Sequence, residues 1–186
     1  RLVNLLKGLG WDLLGDTNVD IKSGIPGDNS KYGVDAFMKY FDPYRGRHRG
    51  ILLESKNYAW TNYAGQKLSQ FFSDTLSKVE GVPESDEFDN KLNFGQADLC
   101  NAGLLGIWTK DTGNYNHSKF KEYINSISVP RKRRKAYQLL VLGHADLERL
   151  ANLQKTCEQI EQSHQNADFD FYYPALSDSD SARLPH

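Results

Sequence analysis

The chain has 186 residues, of which 39% are hydrophobic and 25% charged, with a formal net charge of −1. That length suits one well-buried domain, and the composition excludes the disordered and fibrous classes. The near-neutral balance means that contact with nucleic acid must rely on local basic patches rather than on the field of the whole molecule.

In chain order, Leu2, Val3, Leu5, Leu6 and Leu9 recur at helical spacing and Gly10 follows, which predicts an amphipathic helix over 1–10. Residues 15–33, rich in Gly, Asp, Asn, Ser and Pro, read as a long loop. Two runs of strand character come next, Val34–Phe41 and Gly50–Tyr58, around a basic, turn-rich connection. That is a hairpin signal. Tyr63–Val79 carries Leu68, Phe71, Phe72, Leu76 and Val79 at helical intervals, with Gly81 and Pro83 as stops. An acidic polar loop is expected over 83–93, then a strand over Leu104–Thr109, a short helix over His117–Ile127 and a buried strand over Tyr137–Gly143. Asp146–Ser163 reads as a helix, Phe169–Tyr173 as a last strand and the stretch from Ser177 as a polar tail. The expected division is one domain over 1–176 and a tail over 177–186. The fold class expected is α/β, a mixed central sheet with flanking helices.

The sequence opens at Arg1 and its single methionine is Met38, so further residues upstream are expected. No apolar run approaches the roughly 18 residues that span a bilayer, and no basic-then-apolar leader is seen. Cys100 and Cys157 have no metal-ligand spacing. They read as reduced thiols of a cytoplasmic protein without membrane contact.

The chemistry concentrates between residues 33 and 58. Residues two apart on a strand share a face, so Glu54 and Lys56 project together from within the apolar run Ile51-Leu52-Leu53. Charges in such a run are costly unless paired or metal-bound. A hairpin turning between Tyr44 and Arg45 sets Asp35 opposite Glu54, which brings two carboxylates and an ammonium onto one face. Hard oxygen ligands of this kind suit Mg²⁺, and an adjacent lysine can orient an attacking water or assist its deprotonation. The plain alternative is a cross-strand salt bridge on an edge hairpin.

Gly33-Val34-Asp35, a hairpin turn, then Leu53-Glu54-Ser55-Lys56 resembles the active-site signature of the PD-(D/E)XK nuclease superfamily. The resemblance implies a restriction-endonuclease-like core, with Asp35 and Glu54 as metal ligands and Lys56 as the catalytic lysine. Tyr63-Ala64-Gly65-Gln66-Lys67-Leu68 is similar to a Tyr-x-x-Gln-Leu element of one exonuclease-containing branch, which makes Gln66 a further candidate. Val34 replaces the usual proline, and residues 1–10 lack the helix glutamate that many members carry.

Two basic groups are candidate nucleic-acid contacts: Arg45, Arg47 and Arg49 at the hairpin tip, and Arg131, Lys132, Arg133, Arg134 and Lys135. The function expected is Mg²⁺-dependent hydrolysis of phosphodiester bonds, with Mn²⁺ able to substitute. The partner expected is nucleic acid, DNA by family analogy, in restriction, repair or phage defence. A homodimer or a partner subunit is compatible with it. The competing expectation is a nuclease-fold subunit that binds nucleic acid or protein without cutting.

Overall fold

The computed structural model describes residues 1–43, 46–60, 65–93, 95, 100–128 and 136–164, with residues 65 and 66 described by their backbone alone. Seven strands, five α-helices and two short 3-10 turns lie in these stretches. The strands are β1 (Asp12–Leu14), β2 (Val19–Lys22), β3 (Lys31–Val34), β4 (Ala36–Asp42), β5 (Arg47–Tyr58), β6 (Cys100–Thr109) and β7 (Gln138–Leu142). The helices are α1 (Leu2–Lys7), α2 (Gly65–Gly81), α3 (Phe88–Leu92), α4 (His117–Ser126) and α5 (His144–Ser163).

The main sheet runs β1-β4-β5-β6-β7. β1 and β5 both pair antiparallel to β4, whereas β5–β6 and β6–β7 are parallel. It is therefore a mixed sheet, and helices flank both faces. Alternation along the strands divides the core. Ala36, Met38, Ile51, Leu53 and Leu104 face Leu2, Leu5 and Leu6 of α1 and Leu147 of α5. Leu105 and Ile107 face Leu68, Phe71 and Phe72 of α2 and Phe120 of α4. The central strands are covered on both sides, so they read as continuous apolar runs rather than as alternating ones.

Several expectations shift. The supposed loop over 15–33 holds a small separate sheet, the β2–β3 hairpin. Its strands have four residues each and sit in Gly- and Asp-rich surroundings, so neither builds a periodic signal. β1 is three residues long and was equally invisible. The acidic segment over 83–93 contains α3, where Phe88 and Leu92 bury in a further cluster with Phe37, Leu52 and Val79. β6 starts at Cys100, earlier than its expected bounds. The expected strand at Phe169–Tyr173 and the tail lie outside the described residues. No helix among the described residues is long and apolar enough to cross a membrane.

One close approach fixes where α2 lies. A Cβ on Gly103 of β6 would stand 2.6 Å from Val79 Cγ2 and 3.3 Å from Thr75 Cγ2. Only a bare backbone lets the helix settle that near to the sheet. This seat carries Lys78 toward β5.

Candidate active site

Alternation along β5 decides which side chains meet. Ile51 and Leu53 enter the α1/α5 core and Leu52 enters the opposite one. Glu54 and Lys56 therefore project onto the α2 face. The β4–β5 ladder pairs Ala36 with Leu53, so the next position places Asp35 across from Glu54. That is the register expected from a turn between Tyr44 and Arg45.

Glu54 is only 2% exposed. A carboxylate so deep is costly unless paired. Two ammonium groups pair it: Lys56 Nζ donates to Oε1, and Lys78 Nζ, from the last turn of α2, donates to Oε2. Asp35 is half-buried, and its Oδ2 accepts the Ser55 backbone N–H at 2.7 Å. Its other oxygen takes no hydrogen bond from the described residues. Burial pushes the Asp35 carboxyl above its ordinary value of 3.8; the Ser55 hydrogen bond opposes this and the Glu54 charge adds to it. Burial alone would lower the Lys56 ammonium, but the hydrogen bond and charge of Glu54 outweigh it and hold Lys56 above 10.5. At neutral pH Lys56 is therefore a cation rather than a base.

A cleft of about 420 Å³ opens beside Asp35, lined among others by Asn4 and Lys7 of α1, by Thr17 and Asn18, and by Ser55. α1 brings an amide and an ammonium here but no carboxylate. Among the described residues, no three His, Cys, Asp or Glu side chains cluster as metal ligands. The donor set still fits a hard divalent cation of the Mg²⁺ type. The free oxygen of Asp35 and the carboxylate of Glu54 are hard ligands, and such an ion commonly takes one or two carboxylates and completes its shell with waters and substrate oxygens.

Lys78 was missed by sequence reasoning because it stands 24 residues from Glu54 in another element. A signal existed. Lys78 falls among the apolar, sheet-facing positions of α2, next to Val79 and one turn from Thr75, and a cation there calls for an acidic partner.

The other candidates are placed unevenly. Arg47 is exposed at the start of β5. Arg49 is corrected: it is 5% exposed and held inside the molecule. Its guanidinium lies 3.5 Å from Asp42 and donates to Gln138 Oε1 at 3.3 Å and to Asn101 Oδ1 at 2.8 Å. These bonds tie β4, β5, β6 and β7 together, and burial keeps the guanidinium out of reach of a phosphate. Arg45, the Gln66 side chain and Arg131, Lys132, Arg133, Arg134 and Lys135 lie outside the described residues.

A mixed five-stranded sheet with helices on both faces, carrying Asp35 immediately before β4 and the Glu54-x-Lys56 pair on the adjacent antiparallel β5, defines a restriction-endonuclease-like α/β core. A profile of the family described as "GAPS4 protein PD-(D/E)XK nuclease domain" matches residues 1–146, and the chain belongs to that family. No curated protein and no solved structure matches it.

Proposed function

We propose that the chain is a divalent-metal-dependent nuclease that hydrolyses phosphodiester bonds of DNA. The observation that carries this reading is the buried Glu54, paired with Lys56 and set across from Asp35, in a chain of PD-(D/E)XK nuclease type. Asp35 and Glu54 would hold Mg²⁺, with Mn²⁺ as a substitute. The bound cation would supply an activated water and neutralise charge that develops at phosphorus. Lys56, kept protonated by Glu54, adds positive charge beside the scissile phosphate and can hold the attacking water by hydrogen bonding. The Ser55 amide fixes one oxygen of Asp35 and leaves the other for the cation. Arg47 and the basic run 131–135 are proposed phosphate contacts outside the reacting centre. A role in restriction, repair or phage defence rests on fold association alone.

One observation favours a second reading, a subunit that binds nucleic acid without cutting it. Both Glu54 oxygens are already held by ammonium groups, and no third carboxylate joins them among the described residues. Incubation of the full-length protein with single- and double-stranded DNA and RNA, in Mg²⁺, Mn²⁺ or EDTA, separates the two. Metal-dependent cleavage is expected, and Glu54→Gln or Lys56→Met should each lower it by at least about two orders of magnitude. Binding without cleavage in every metal would sink the enzyme reading. Full activity in both variants would move the site elsewhere.

A further inference from the structure

Glu54 is held from two directions, and the second holder has no part in the signature motif. Lys78 Nζ reaches Oε2 from α2, with its side chain 15% exposed against 26% for Lys56. Glu54 is the partner of Lys78 among the described residues. Lys56 has further company: its Nζ lies 5.8 Å from the centre of the Phe71 ring. Lys78 thus touches one of the two carboxylates that would share a cation. The four groups Asp35, Glu54, Lys56 and Lys78 sum to zero charge, so this set of side chains is balanced before any metal enters.

We propose that Lys78 is a positioning residue that occupies the Glu54 carboxylate in the metal-free protein and couples metal entry to the arrival of a substrate phosphate. This inference rests on the metal-dependent reading above. A divalent ion seated on Glu54 stands close to Nζ of Lys78, and like charges at such range repel strongly where water is scarce. Lys78 must then release Oε2. It is the one to move because, among the described residues, its ammonium has Glu54 as its single polar partner, while Lys56 stands on β5 against Phe71 as well. Released alone, its ammonium has lost its partner. An incoming phosphodiester oxygen replaces that partner and offsets part of the charge the metal has added. Metal and nucleic acid therefore bind with positive coupling, and each tightens the other.

The test uses the full chain and measures Mn²⁺ affinity at pH 7.5 by titration calorimetry, with Mn²⁺ alone and then with a phosphorothioate DNA oligonucleotide present. Removing the competing charge in Lys78→Met should tighten Mn²⁺ alone by at least about tenfold, the scale of one hydrogen bond to a charged group. The oligonucleotide should tighten Mn²⁺ in the wild type more than in the variant. Lys78→Arg, which keeps the charge, should restore wild-type affinity. Lys78→Gln, which keeps a donor without the charge, gives the same reading should Lys78→Met not fold. A merely structural lysine would change thermal stability and leave Mn²⁺ affinity unchanged or weaker. If the wild type binds Mn²⁺ and neither uncharged variant binds it more tightly, the proposal is overturned while the nuclease reading stands. If no form binds Mn²⁺ with or without the oligonucleotide, the metal-dependent reading falls and takes this one with it.

Discussion

Asp35 shows how little of a residue's state is written in its identity. Its position opposite Glu54 follows from counting along a hairpin, and its bond to the Ser55 amide follows from β4 beginning at the next residue. Its protonation behaviour depends on burial, which only the packed molecule reveals. Because burial raises its carboxyl above 3.8 in the folded state, the native protein binds this proton more tightly than the unfolded chain does. Stability from this group therefore falls as pH rises from 3.8 through the raised native value, and is flat above it. Asp35→Asn removes that loss while keeping an oxygen for the Ser55 amide. We predict a higher thermal midpoint than wild type at pH 7, with the gain vanishing at pH 3, where both states of Asp35 are protonated. A variant less stable than wild type at pH 7 would show that the ionised carboxylate supports the fold instead. Glu54 and Lys56 were legible from their spacing of two within an apolar run. Arg49 was not, because a buried guanidinium and an exposed one look alike in a basic turn.

At the scale of elements, the local periodicities were readable and the contacts between them were not. α2 shows its apolar face in Leu68, Phe71, Phe72 and Val79, yet nothing in that pattern says which strand it covers. The answer lies in Gly103, whose missing side chain admits Val79 and Thr75. Gly103→Ala should therefore force α2 away from β6 or strain its side chains, at a cost of about 1–3 kcal/mol. The same displacement should draw Lys78 off Glu54. Urea unfolding checks the first effect. A crystal structure of the variant checks the second: a Lys78–Glu54 contact kept intact would mean that α2 is placed by something other than this seat. β2 and β3 escaped the sequence for a different reason. Four-residue strands separated by a Gly- and Pro-containing turn offer too few positions for alternation to register.

Across the whole molecule, a mixed sheet with helices on both faces was legible in the alternation of apolar runs and helical stretches. The strand order β1-β4-β5-β6-β7 was not, since parallel pairing depends on contacts far apart in sequence. That difference also orders events in time. β4 and β5 join through a short turn, whereas β5 and β6 pair residues about fifty positions apart. Neighbouring segments meet quickly, and distant ones must first overcome the entropy of closing a long loop. During refolding the hairpin bearing Asp35 and Glu54 is expected to zip early, with its carboxylates still in water. The pocket around Glu54 dries only when α2 and β6 arrive, late in the reaction. Glu54→Gln leaves two partly buried ammonium groups short of their anion, so it should speed unfolding and leave the refolding rate nearly untouched. Stopped-flow kinetics across a range of urea read both arms; a slowed refolding arm would show that the charged cluster assembles before the barrier instead of after it.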